Sequence, residues 1–259
     1  GIESDLSLDI AFNKVKTSER KEWMLDFNQD NYIDVDENNN YTIPLFFNQE
    51  LILFSLDDTK RSIGSIIDGL KPSQRKILYC AFKKNLKYEQ HNQIKVAQLS
   101  GYVSEQTNYH HGEECLNQSI IKMSQSFVNS NNVPLLQNVG QFGSRSHAGK
   151  DSASPRYIFT KLGPLTSIIF NSLDNCLLKH AYDDGERVEF ENYVPIVPNV
   201  LINGMTAIGT GWSSNIPNFN LLHIIHKLKL LIANDIESFT MFQLKPCLLY
   251  TSDAADDET

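Results

Sequence analysis

Arg156 and Tyr157 stand together where a long Gly- and Ser-rich stretch gives way to the apolar run IFTKL. A tyrosine hydroxyl can attack a phosphodiester and hold the product as a phosphotyrosine until the step reverses, which divides one difficult reaction into two easier ones. The phenol keeps its proton up to about pH 10, so this chemistry needs a proton acceptor. It also needs positive charge beside the pentavalent phosphorus, and a guanidinium matches phosphate oxygens in shape and charge. On residue types alone, ordinary packing of a half-buried tyrosine is the commoner explanation of such a pair.

Other candidates lie on either side of it. His110 and His111 follow Tyr109 and precede Gly112, at an expected helix start. A histidine there can take a proton, donate to a phosphate or cap the helix, and a purely structural role fits as well. Two adjacent helical residues do not face the same way, so the pair is a poor metal site. Arg145 and Lys150 sit in the Gly/Ser loop and can grip phosphates or remain solvated loop charges. Ile208 lies in the turn GMTAIGTGW, where an exposed apolar side chain can wedge between base pairs, or simply anchor the turn in a core.

These residues need elements to position them. A helical stretch is expected over 10–27, then an acidic, Asn-rich connector over 28–45. That connector lacks the central Gly and terminal Glu of a calcium loop, so calcium binding is rejected. Asp68-Gly69 and Lys71-Pro72 mark a turn before a helix that Arg75, Lys76, Lys83 and Lys84 would stud with charge. A second helix is expected over 96–106. A third follows Gly112, with Leu116, Ile120, Met123 and Phe127 on one face. Three short helices with a basic face suit a helix-turn-helix or winged-helix unit, although periodicity alone also fits any small helical core. Residues 130–155 form a long exposed loop. A strand leading into a helix follows, then strand-forming runs over 193–212 broken by Pro, Asn and Gly, then a helix over Leu221–Ile232. No internal repeat, GxGxxG or P-loop is present.

Composition sets the bounds. The 259 residues suffice for one large domain or two modest ones. No apolar run approaches the roughly 18 residues of a membrane helix, and the first residues do not read as a signal peptide. The 4 cysteines form no CxxC pair, which argues against a zinc or disulfide framework and for a reducing compartment. The formal net charge of −8, taken whole, argues against nucleic acid. Its distribution reverses that: residues 60–161 hold 14 Lys and Arg against 6 Asp and Glu, a local +8 that leaves −16 for the remainder. Phosphate binding follows clustered basic residues rather than the global balance; charge alone also allows an uneven surface with no partner.

The strings ELILFS, DGLKPSQRKILYCAFKKN, KVAQLSGYVSE, YHHGE, NVGQFGSRSHAGKDSASPRYIFTKL, YDDGERVE and VLINGMTAIGTGWSSNIPNF occur in this order. They closely resemble the breakage–reunion core of eukaryotic type IIA DNA topoisomerase, from about Ala11 to about Ile232. The resemblance implies an α+β, mostly helical fold. It implies the end of a Toprim domain and an acidic connector over 1–54, a winged-helix DNA-cleavage domain over 55–190, and the start of an α/β tower domain over 191–245. The residues 246–259 resemble nothing in the family and read as a non-native tail. The resemblance also implies roles. Tyr157 would be the nucleophile, Arg156 would stabilise the transition state and His111 would handle charge at the scissile phosphate. Arg61, Lys71, Arg75, Tyr109, His110 and Lys150 would line the DNA, and Ile208 would intercalate and bend it.

The implied reaction is a transient double-strand break through 5′-phosphotyrosyl links, passage of a second duplex and religation. The implied enzyme is a nuclear homodimer that acts on double-stranded DNA, away from membranes. It would use Mg2+ held by Toprim acids, and ATP held by an ATPase domain, both expected outside this chain. Departures from the family pattern fall at 88–93, which looks like an insertion, and at Gly64, Ser73, Asn129, Ser146 and Ala148. They touch loop geometry and leave the Arg-Tyr pair intact. The alternative reading is a winged-helix module that binds duplex DNA without cleaving it.

Overall fold

Residues 1–64 with 206–215 form one unit, and 65–205 with 216–259 form the other. The computed structural model describes residues 1–27, 40–88 and 92–247. Most of the acidic connector, three residues of the suggested insertion and residues 248–259 of the suggested tail therefore lie outside the described residues.

In the first unit the single helix expected over 10–27 is two helices, α1 (Ile2–Phe12) and α2 (Thr17–Leu25). The chain leaves helical geometry at Asn13, with φ −71 and ψ 124. Arg20 explains why the break is stable. Its Nε donates to the carbonyls of Ile10 at 3.0 Å and Ala11 at 2.8 Å, and a terminal nitrogen donates to that of Asn13 at 2.7 Å. One buried guanidinium thus satisfies carbonyls that a helix end leaves open. Helix α3 (Ile43–Phe46) starts at Thr42, whose hydroxyl accepts from the Leu45 N–H. It runs through a π turn at Phe47–Leu51 into α4 (Ile52–Ser62). The wide turn carries the buried Phe47, whose ring meets that of Phe12 edge-on at 5.8 Å.

The second unit has the three helices expected from its periodicity, α5 (Pro72–Lys83), α6 (Val96–Thr107) and α7 (Glu113–Ser124), but α7 turns extended at Gln125, so Phe127, expected on its apolar face, lies beyond its end. Pro72 occupies the first helical position, where its missing N–H is harmless, and Gln74 Oε1 accepts from the Lys71 N–H at 2.9 Å. Ile77, Leu78, Val96, Leu99, Val103, Leu116 and Ile120 are fully buried and form one core. Against it lies a three-stranded antiparallel sheet of β1 (Ile94–Lys95), β2 (Leu136–Val139) and β3 (Phe159–Leu162), in the order β1-β3-β2. The register pairs Leu136 with Leu162 and Ile94 with Thr160. Helix-turn-helix plus sheet is a winged-helix arrangement, and the long loop between β2 and β3 is the wing.

Past the short α8 (Thr166–Ile169) comes a hairpin of β4 (His180–Asp183) and β5 (Glu186–Phe190) that alternation had not indicated. Its turn is Asp184-Gly185, both at positive φ, a pairing suited to a two-residue hairpin loop. Then come α9 (Asn199–Asn203), the hairpin β6 (Met205–Gly209) and β7 (Trp212–Ile216), α10 (Leu221–Ile232) and α11 (Ile236–Met241). Residues 206–215 of the second hairpin belong to the first unit. Within the suggested tail, Pro246 bridges to Phe219, and the Cys247 N–H donates to the Asn218 carbonyl at 2.8 Å.

Candidate functional site

Tyr157 lies at the foot of the wing, just before β3. Its position follows from its neighbours. Ile158 is buried, and its carbonyl accepts from the Val96 N–H at 3.0 Å. The Pro155 carbonyl accepts from the Ala97 N–H at 3.1 Å. The open first turn of α6 thus holds this segment on both sides of Tyr157, while the tyrosine itself stays 77% exposed. Among the described residues its hydroxyl makes no hydrogen bond, to a base or to any other group. Arg156 beside it is exposed.

The wing itself is tightly organised. Gln125, buried at the end of α7, donates from Nε2 to the carbonyls of Phe142 at 2.8 Å and Gly149 at 3.2 Å. Asp151 closes the neck. It accepts from the Ser144 N–H and hydroxyl, each at 2.7 Å. These bonds hold the Asp151 carboxyl below its ordinary pKa. Gly143 and Gly149 both have positive φ, and a Cβ on Gly149 would fall 2.4 Å from the Gln125 amide nitrogen. Arg145 and Lys150 project outward from this frame and are exposed. Among the described residues, Arg145, Lys150 and Arg156 have no carboxylate partner, so their charges remain open to an anion.

At the helix-turn-helix, Asn108 ends α6 in left-handed geometry and turns the chain toward α7. Tyr109 is half-buried, and burial raises the pKa of its phenol. Its ring meets that of His111 at 5.3 Å. His111 is exposed and next to the start of α7. His110 is exposed too, but its Nε2 lies 2.9 Å from the Asp183 carboxylate on the tip of the β4–β5 hairpin. Sequence periodicity gave no sign of that acidic partner.

The basic face expected on α5 needs correction. Arg75 is buried, with Nε 2.7 Å from Asp68 Oδ2 and a terminal nitrogen 3.0 Å from Asp68 Oδ1. Asp68 is fully buried and also accepts from the N–H groups of Leu70 and Tyr193. Arg75 is therefore turned inward and holds the fold instead of studding an exposed basic face. Lys76 is likewise engaged, donating to the Thr107 carbonyl at 2.7 Å and Glu189 at 2.9 Å. The helical period marks the inward face correctly but cannot tell that two of its basic residues carry inward partners. Lys71 is half-buried, and burial first, then the nearby Lys122, lowers its pKa.

In the first unit, Arg61 is exposed and pairs with Asp58 at 3.1 Å. Asp58 also accepts from the N–H and hydroxyl of Thr210, each at 3.1 Å, which fixes the β6–β7 turn on α4. Ile208, one residue before Gly209, is 80% exposed on this clamped hairpin. A rigidly held, exposed branched side chain has the form of a wedge. Gln125, Asp151 and Asp183 are the partners that sequence reasoning missed; the glycines at 143 and 149 were the available sign of the first.

Residues 61–250 match the family of the A-type subunit of DNA gyrase/topoisomerase IV. Residues 2–59 match the C-terminal associated domain of TOPRIM. The chain is 49% identical to DNA topoisomerase 2-alpha of Gallus gallus over 243 residues, covering 90% of this chain and 15% of that protein. It is 49% identical to the Homo sapiens protein of the same name over 246 residues, covering 91% of this chain and 16% of that one. Its fold is similar to the solved topoisomerase II DNA-binding, cleavage and re-ligation domain of Plasmodium falciparum, with TM-score 0.77 and 46% identity, covering 90% of this chain and 31% of that one. The chain thus spans about a sixth of the length of these sequence relatives.

Proposed function

The chain belongs to the DNA gyrase/topoisomerase IV family, on the side of its A-type subunit, and from that premise we propose that it carries the DNA-cleaving tyrosine of a type II topoisomerase. The observation that carries this reading is Tyr157: exposed, next to an exposed arginine that has no carboxylate partner among the described residues, on backbone fastened to the first turn of α6. In the proposed step the Tyr157 hydroxyl gives up its proton as its oxygen attacks a DNA phosphorus, the P–O3′ bond breaks as the 5′-phosphotyrosyl bond forms, and the 3′ oxygen leaves as a hydroxyl after taking up a proton. Reversal by that oxygen reseals the strand. Arg156 stabilises charge on the phosphoryl oxygens in the transition state. His111, at the start of α7, assists charge at the same phosphate.

Lys71, Tyr109, His110 and Lys150 contact the DNA in this reading, as do Arg61 and Ile208 on the first unit. Lys150 does so as an open cation on a fixed loop. Ile208 intercalates and bends the duplex. Arg75 supports the fold from inside. The full protein acts as a nuclear homodimer on double-stranded DNA, passing one duplex through a break in another. It uses Mg2+ and ATP for cleavage chemistry and gating. Among the described residues no group of three or more His, Cys, Asp or Glu can hold a metal ion. The magnesium and ATP sites are proposed to lie on other parts of the protein. No helix among the described residues is long and apolar enough to cross a membrane. A duplex-binding module without cleavage is the less favoured alternative, because the similar solved domain is named for cleavage and re-ligation.

The experiment is a trapping assay. The full-length protein with Tyr157→Phe is incubated with supercoiled plasmid and magnesium, then denatured. No protein remains covalently on the DNA if the proposal holds, and retained adduct rejects it.

A further inference from the structure

The wing is an exposed loop locked from two directions, and the locks come from residues with no part in the reaction as proposed. Gln125 reaches in from the end of α7, the helix that begins beside His111. Its amide bridges the two strands of the loop, donating to Phe142 on the outgoing side and Gly149 on the returning side. Asp151 works across the neck. It gathers both Ser144 donors, and Gln141 Nε2 lies 3.4 Å from it. A further backbone bond runs from the Ala153 N–H to the Gln141 carbonyl at 2.9 Å.

The geometry makes the arrangement specific. A Cβ on Gly143 would lie 2.6 Å from the Gly149 carbonyl oxygen, so the two loop strands touch backbone to backbone. That close approach lets one glutamine side chain span both carbonyls. Between the locks, residues 144–150 project Arg145, His147 and Lys150. Six residues beyond Asp151 stands Tyr157.

We propose that Gln125 and Asp151 are positioning residues: they fix the cations Lys150 and Arg145 relative to Tyr157, and so set the rate of DNA cleavage without binding the DNA themselves. This rests on the reading of Tyr157 as the nucleophile. A loop free to move by about 1 Å places its charge off the phosphate, and misplacement on that scale can lower a rate by about 10²-fold. Asp151 is an acidic residue in a region proposed to meet phosphate. Its donors from Ser144 satisfy it within the loop, which is the use of a carboxylate as a structural staple.

The test uses the full-length protein, with single-turnover formation of the covalent complex and DNA affinity measured side by side. Asp151→Ala is expected to slow formation of the covalent complex by about 10- to 100-fold while changing the dissociation constant less than about threefold. Asp151→Asn keeps one acceptor for Ser144 and recovers most of the rate. Gln125→Met, similar in shape but unable to donate, also slows cleavage. Ser144→Ala, which leaves the Ser144 N–H to bond Asp151, is the milder variant to use if Asp151→Ala does not fold. In a Lys150→Ala/Arg145→Ala background, Asp151→Ala adds less than about twofold, because residues acting as one unit are not additive. A merely structural role would show losses that multiply in that background, and this result overturns the proposal. So does a wild-type cleavage rate in Asp151→Ala and Gln125→Met. If instead Tyr157→Phe still forms adduct, the reading of the nucleophile falls, which is a different failure.

Discussion

Arg75 and Arg156 are both arginines beside a segment expected to meet DNA, and the fold uses them in opposite ways. Arg75 is enclosed, with a bidentate bond to the fully buried Asp68, which in turn holds the backbone at Leu70 and Tyr193. Arg156 is exposed and has no carboxylate partner among the described residues. A buried pair is balanced by its own partner and has nothing left for a ligand. An unpaired surface cation is fully hydrated, so leaving it open carries little penalty, and it remains available to phosphate. The difference separates residues that hold the scaffold from residues that can act on a substrate.

The largest effect that can break this contrast is on stability. Arg75→Ala strands a buried carboxylate and should destabilise the protein by about 3–5 kcal/mol, read by chemical denaturation. Arg156→Ala should shift stability by less than about 0.5 kcal/mol, as surface changes do. Its loss shows instead in cleavage, slowed by about 10²- to 10³-fold, the scale of removing one transition-state donor. Equal stability losses in the two variants would erase the distinction.

A smaller effect sharpens it within the wing. Gly149→Ala should cost about 1–3 kcal/mol of local strain, because φ there is +77 and the new methyl meets the Gln125 amide. Hydrogen exchange of the 141–153 peptides should rise while that of α6 stays unchanged. Lys150→Ala should weaken DNA binding across all sequences and reduce the salt slope by about one.

The smallest effect is with pH. The Asp151 pKa is lowered in the folded state by Ser144, so its stabilising bonds are complete above the unfolded carboxylate value, about 3.9, and are lost as pH falls through the folded value. Exchange protection of the wing should therefore fall as pH drops below about 4. In Asp151→Asn that acid limb should vanish.

Much of the helical scaffold was legible in the sequence. Pro72, the Leu116–Ile120–Met123 spacing and the run from Leu221 to Ile232 each carry a local signal, and each lies in an observed helix. The break at Asn13 was not legible, because it depends on Arg20 folding back over ten residues. The β4–β5 hairpin was missed since its strands are short and their burial does not alternate: β4 is part-buried, and β5 runs from two exposed residues into the buried Val188, Glu189 and Phe190. At the candidate site, residue types alone left ordinary packing as the commoner reading of Tyr157 and Arg156 and a solvated charge as an equal reading of Lys150, and it was the resemblance that singled them out. The partners that decide which charges stay open, Asp68 for Arg75 and Asp183 for His110, lie 7 and 73 positions away. Which charged groups meet is set by tertiary structure, which periodicity does not report.

The central claim is that Tyr157 becomes joined to DNA. The most direct measurement traps the full-length protein on a 5′-labelled duplex with denaturant, digests the adduct and locates the modified peptide by mass spectrometry. The expected result is a single nucleotide-bearing peptide, with the added phosphate on Tyr157 and the label lost from the protein-linked strand end. A phosphotyrosyl adduct on any other residue, or an adduct of unchanged yield in Tyr157→Phe, would contradict it.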